Sequence, residues 1–197
     1  MTKYILIGGY PYKAKDGGLK LCQEAIKGLS QPVNILICLF ARPRETWDKQ
    51  YEKYKELFIK NLLGVSLNFE LAEINSFIEQ IERNNVLFFS GGDTGELLSR
   101  LEKIPKWLKK LGGKIVLGSS AGADILSKYN YDLELFKCSG GFGLAPVKTL
   151  VHYGTEKYQP PIGWEKALEQ LKNYKEDLPV WVLREGEFKS IEVSNSN

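Results

Sequence analysis

The 197-residue chain is 43% hydrophobic and 26% charged, enough to bury a substantial core as one domain over residues 1–197. Its net charge of +3 arises from 27 basic and 24 acidic side chains, and Lys109-Lys110 is the only adjacent basic pair, which argues against a nucleic-acid partner. No apolar run is long enough to span a bilayer, which argues against a membrane protein.

The opening Met1-Thr2-Lys3-Tyr4-Ile5-Leu6-Ile7 reads as a strand over Tyr4 to Ile7, not a signal peptide, so a cytoplasmic location is expected. A loop rich in Gly, Pro and Tyr follows from Gly8 to Gly18. Leu19 to Leu29 has helical apolar spacing, and Val33 to Phe40 is a nearly unbroken apolar strand of the kind covered on both faces. A long helix is predicted from about Glu45 to Leu62. Its aromatic stripe of Trp47, Tyr51, Tyr54 and Phe58 could cover either the chain's own sheet or a homodimer surface. A short strand at Asn68 to Glu70, a helix from about Leu71 to Arg83 and a strand at Val86 to Phe89 come next. The helix predicted from Thr94 to Leu111 should break near Pro105. After the strand leading to Gly118, the last quarter reads as a loop and strand from Leu144 to Tyr153 and a helix from Trp164 to Tyr174. A terminal hairpin is expected from Val180–Leu183 and Phe188–Val193, turning at Glu185-Gly186. This alternation predicts a mostly parallel three-layer α/β/α domain. Ligands in such sheets bind beyond the carboxyl ends of the strands, where the loops Gly8–Gly18, Ser90–Gly95 and Gly118–Gly122 should meet.

Gly118-Ser119-Ser120-Ala121-Gly122 follows an apolar strand and precedes a helical pattern, the setting in which a serine is exposed on a sharp turn. Ser120 is therefore the candidate nucleophile. A serine needs a base, and His152 is the chain's one histidine, at the end of the apolar segment Thr149-Leu150-Val151. Backbone amides of Ala121 and of Gly91 or Gly92 could form an oxyanion hole, although Ser90–Gly95 would also serve as a helix entry capped by Asp93 or Thr94. The carboxylate that orients the imidazole is expected at Asp132 or Glu134, between nucleophile and base in the chain, with Glu185 a further candidate. Asp124 is expected to face solvent or a helical neighbour. The glycine loops lack the Lys-Ser or Lys-Thr of a P-loop and the GxGxxG of a dinucleotide site. Cys22, Cys38 and Cys138 lack zinc spacing, so neither metal nor organic cofactor is expected.

Five ordered segments resemble the peptidase E group of serine peptidases, the S51 family, which includes aspartyl dipeptidase and cyanophycinase relatives. They are Phe40 to Tyr51 with its Thr46-Trp47-Asp48 string, Phe89 to Leu98, Gly118 to Ala123, Gly143 to Tyr153 and Leu183 to Phe188. The resemblance implies a fold like class I glutamine amidotransferases, of flavodoxin-like type, with serine as nucleophile. It implies a hydrolase of short peptides, without metal or cofactor, with Ser120 as nucleophile, His152 as base and Gly91 or Gly92 with Ala121 at the oxyanion hole. The stretch between Ser120 and His152 is shorter than in the aspartyl dipeptidase, so the family's catalytic aspartate has no definite counterpart. The expected activity is that of a serine-type peptidase of short peptides, with a dipeptidase selective for an N-terminal residue as its finer form. Lys13, Lys15, Arg42 or Arg44 could neutralise an acidic substrate side chain. The alternatives are a noncatalytic ligand-binding protein, or an esterase or amidase using the same nucleophile.

Overall fold

A computed structural model describes residues 1–194. Among these residues ten strands and six α-helices follow in order: β1 (Thr2–Ile7), α1 (Leu19–Ile26), β2 (Val33–Cys38), α2 (Trp47–Asn61), β3 (Leu67–Leu71), α3 (Phe77–Arg83), β4 (Val86–Phe89), α4 (Thr94–Glu102), β5 (Ile115–Ser119), α5 (Ala121–Leu126), β6 (Ser127–Asp132), β7 (Lys137–Gly140), β8 (Ala145–Leu150), α6 (Trp164–Asn173), β9 (Val180–Val182) and β10 (Phe188–Val193). The helix expected to run to Leu111 stops at Glu102 and resumes as a 3₁₀ turn over Trp107–Lys110, the break expected near Pro105. The helix expected from Leu71 begins only at Phe77, after a 3₁₀ turn, because Leu67–Leu71 is used as a strand beside β2.

The main sheet has the order β10-β1-β5-β4-β2-β3, parallel except for β10. Its central strands β4 and β5 are buried along their whole length, as a sheet covered on both faces requires. Adjacent residues of a strand point to opposite faces, and β4 shows which helices lie where. Phe88 packs on Tyr54 and Phe58 of α2, whereas Phe89 packs on Phe77 of α3 and on Trp107. The aromatic stripe of α2 is thus largely taken up by the chain's own sheet, with Trp47, Tyr54 and Phe58 buried.

A second sheet, β7-β6-β8-β9, joins β6, β8 and β9 in parallel and adds β7 as an antiparallel edge. This arrangement corrects the terminal hairpin. β9 pairs with β8 in the small sheet and β10 pairs with β1 in the main one, so residues 183–187 form a crossover between sheets. The carboxyl end of β8 docks on that of β1, where His152 N–H donates to Gly8 O at 2.9 Å, and continues to follow β9 through Tyr153 N–H to Leu183 O at 3.1 Å. Gly8 permits the contact, since a Cβ there would lie 2.2 Å from Arg184 O. Among the described residues no helix is long and apolar enough to cross a membrane.

Candidate active site

The register Ile7↔Ser119 and Phe89↔Gly118 brings the loops after β1, β4 and β5 to one end of the main sheet. There the chain turns from β5 into α5 through Ser120, whose φ of 53° and ψ of −116° are rare for a residue with a side chain. Two hydrogen bonds of 3.0 Å hold the turn, from Ser120 N–H to Ile7 O and from Asp124 N–H to Ser120 O. Its glycines are steric necessities. A Cβ at Gly118 would lie 2.3 Å from Gly122 O, and one at Gly122 would lie 2.3 Å from Phe89 O. The hydroxyl is thereby held beyond the strand end, facing the small sheet.

His152 enters from that sheet, also with positive φ (53°), and is 3% exposed. Its Nε2 lies 2.9 Å from Ser120 Oγ, and its Nδ1 lies 3.2 Å from Glu185 Oε1. A proton on Nδ1, held by the carboxylate, leaves Nε2 free to accept from the serine. The Tyr158 ring stacks on the imidazole at 4.0 Å, and Tyr10 meets its edge at 5.5 Å. Burial pushes the His152 pKa below the ordinary histidine value, against the opposing pull of the Glu185 hydrogen bond. The ring fits only because residue 9 is glycine: a Cβ there would lie 2.1 Å from His152 Cε1.

The carboxylate beside His152 is Glu185, on the crossover between β9 and β10, and neither Asp132 nor Glu134 bonds the imidazole. Asp132 Oδ1 accepts from the N–H groups of Glu134 and Leu135 at 2.8 Å each, so Asp132 closes the turn after β6. Glu134 lines the cavity from the side of α4, beside Asp93 and the Thr94 backbone. Burial, with the like charges of Asp93 and Asp132, raises its pKa against the Thr94 backbone hydrogen bond. The turn after β6 thus reaches the cavity near the start of α4, while Nδ1 faces the 183–187 crossover. Asp124, expected to face solvent or a helical neighbour, is 3% exposed and accepts from Thr149 Oγ1 of β8 at 3.2 Å; burial raises its pKa well above the ordinary aspartate value.

Gly91 packs directly on the serine, since a Cβ there would lie 2.9 Å from Ser120 Cβ and 3.4 Å from Oγ. Among the described residues the amides of Gly91 and Gly92 donate to no backbone carbonyl. Ala121 opens α5, so its amide is one of the donors that a helix leaves without an internal partner. The same loop also forms the helix entry, with Asp93 Oδ1 accepting from Glu96 N–H at 2.8 Å.

A cavity of about 480 Å³ opens over Ser120 and His152. Arg42, Lys53 and Lys157 line it, and none of the three joins an ion pair among the described residues. Arg42 Nε is buried without a hydrogen-bond partner among the described residues. Of the cations singled out in the sequence, only Arg42 reaches this cavity. Lys13 is bonded to Glu185, Arg44 pairs with Glu73 and Asp48, and Lys15 lines a different surface hollow. Lys53 and Lys157 were missed. Lys53 shares a helical face with Gln50 and Tyr54, the polar flank of the aromatic stripe, and this spacing was available to find it. All three cysteines are free, and among the described residues no group of three or more His, Cys, Asp or Glu side chains could hold a metal ion.

The sequence pattern of peptidase family S51 matches residues 5–196. Two solved structures share the fold. One is a peptidase from an acI-B1 actinobacterium (22% identity, TM-score 0.69), the alignment covering 97% of this chain and 83% of that one. The other is a protein described as peptidase E from Listeria monocytogenes EGD-e (17% identity, TM-score 0.63), covering 98% and 100%. Among curated protein sequences no match is found.

Proposed function

Because this chain belongs to peptidase family S51, we propose that it is a serine-type peptidase of short peptides in which Ser120, His152 and Glu185 act together. The observation that carries this reading is the 2.9 Å approach of Ser120 Oγ to His152 Nε2 on a strained turn, with a carboxylate on the other ring nitrogen. In this mechanism Ser120 Oγ attacks the scissile carbonyl while Nε2 takes its proton. The carbonyl oxygen becomes an oxyanion, met by the amides of Ala121 and of Gly91 or Gly92. Each such donor contributes roughly 3–4 kcal/mol to transition-state stabilisation. The imidazolium, balanced by Glu185, then protonates the leaving amine as the C–N bond breaks. Water, deprotonated by His152, releases the acyl group and restores the serine.

Arg42, Lys53 and Lys157 favour a substrate with a negative group near the scissile bond, which supports a dipeptidase selective for an acidic N-terminal residue. The Glu185 carboxylate on Nδ1 weighs against a noncatalytic role. The test is a hydrolysis screen of dipeptides that vary the N-terminal residue, run beside Ser120→Ala. The expected result is turnover by the native protein, fastest for acidic N-terminal residues, and a loss of roughly 10,000-fold or more in the variant. Equal turnover by the variant, or none by the native protein, would refute the reading.

A further inference from the structure

The contacts around His152 continue past Glu185. While Oε1 of Glu185 faces Nδ1 of His152 at 3.2 Å, its Oε2 lies 2.6 Å from Lys13 Nζ. Lys13 belongs to the loop after β1, and that loop is fastened to the crossover independently: Gly186 N–H donates to Gly9 O at 2.8 Å, and a Cβ at Gly186 would lie 2.4 Å from Ala14 N. The Lys13 ammonium also lies 4.4 Å from the centre of the Tyr10 ring, whose hydroxyl is 2.8 Å from that of Tyr158. The Glu185 side chain is only 14% exposed, so its charge is partly withdrawn from water. A carboxylate in that position, acting alone on the imidazole, would favour the protonated ring, which cannot accept the serine proton.

We infer that Lys13 is a positioning residue acting through Glu185: by holding Oε2 it offsets part of the charge that Glu185 presents to His152, and so keeps the imidazole in its neutral, proton-accepting form. The charged or titratable groups facing the ring are Glu185 and Lys13 on one side, Lys157 on the other, Tyr10 and Tyr158 against its edge and face, and the Ser120 hydroxyl at Nε2. Lys13 and Lys157 both oppose the pull of Glu185, and of the two only Lys13 touches the carboxylate. This role was not legible in the sequence, where Lys13 reads as a loop cation available to substrate.

The inference rests on the proposed Ser120–His152–Glu185 reading for its effect on turnover, but its direct test does not require turnover. His152 is the chain's one histidine, so its imidazole proton signal in a nuclear magnetic resonance titration needs no assignment. In Lys13→Met the midpoint should rise by roughly half a pH unit, and Lys13→Arg should stay near the native value. Lys13→Gln should show the same rise and replaces the methionine variant if that one does not fold. If the native protein hydrolyses peptides, the acid limb of kcat/KM should move with the midpoint. A midpoint that is unmoved or lowered in the folded neutral variants would overturn the inference. Absence of turnover by the native protein would count against the peptidase reading and leave this titration intact.

Discussion

At the scale of single residues, the site depends as much on missing side chains as on present ones. Gly9 makes room for the His152 ring, Gly91 lies against Ser120, and Gly118 and Gly122 let strand and helix meet at the turn. A methyl group at residue 91 would press on Ser120 Cβ at 2.9 Å and crowd Oγ at 3.4 Å. Gly91→Ala should therefore lower kcat by roughly 10-fold to 1,000-fold through a displaced nucleophile and a disturbed oxyanion donor, with the thermal midpoint changed by only a few degrees. Steady-state kinetics beside a melting curve would check this, and unchanged kcat would argue that the loop takes no part. Gly91, Gly118 and Gly122 were legible in the sequence because strand, turn and helix lie within a few residues of one another, whereas Gly9 was not, because the ring it accommodates comes from far along the chain. Ser120 and His152 were legible as candidates for a simpler reason: the chain offers one imidazole, and Ser120 stands at the centre of the Gly118–Gly122 turn.

Elements whose partners are distant in the chain were harder to read. Val180–Val182 and Phe188–Val193, separated by Glu185-Gly186, have the local pattern of a hairpin, yet each pairs with a different sheet. That choice is made by β8 and β1, which lie far from the turn in sequence, so local pattern could not reveal that Glu185 sits on a crossover at the site. The same distance misdirected attention to Asp132, nearer to His152 in the chain but engaged in closing its own turn. At the edge of the main sheet, Glu70 of β3 is joined to Arg83, Gln80 and Asn84 around α3, and these contacts, led by Arg83, lower its pKa to about 2. A carboxylate held below its unfolded value adds stability that is full above pH 4.5 and lost as pH falls toward about 2. Glu70→Gln should accordingly destabilise the protein by roughly 1–2 kcal/mol at pH 7, a gap that narrows below pH 4.5. Urea unfolding at a series of pH values reads this directly, and a gap independent of pH would show that the charge contributes nothing.

For the molecule as a whole, the candidate site is a joint between two sheets. Ser120 follows a strand of the main sheet, His152 follows close on a strand of the small one, and Glu185 lies on the chain that passes between them. Asp124 on α5, bonded to Thr149 of β8, is a buried polar contact across the same joint. The three-layer α/β architecture and the meeting of three loops were readable from alternation alone, whereas the division into two sheets was not, because β6 follows a six-residue helix without a loop to mark the change. The central claim is that Ser120, His152 and Glu185 work as one unit. It is tested most directly by kcat/KM for a single cleaved dipeptide in the native protein, Ser120→Ala, Glu185→Gln and Asp132→Asn. The account predicts losses of roughly 10,000-fold or more for Ser120→Ala, roughly 100-fold to 10,000-fold for Glu185→Gln, and less than about 10-fold for Asp132→Asn. A Glu185→Gln variant as active as the native protein, or an Asp132→Asn variant as inactive as Ser120→Ala, would contradict it.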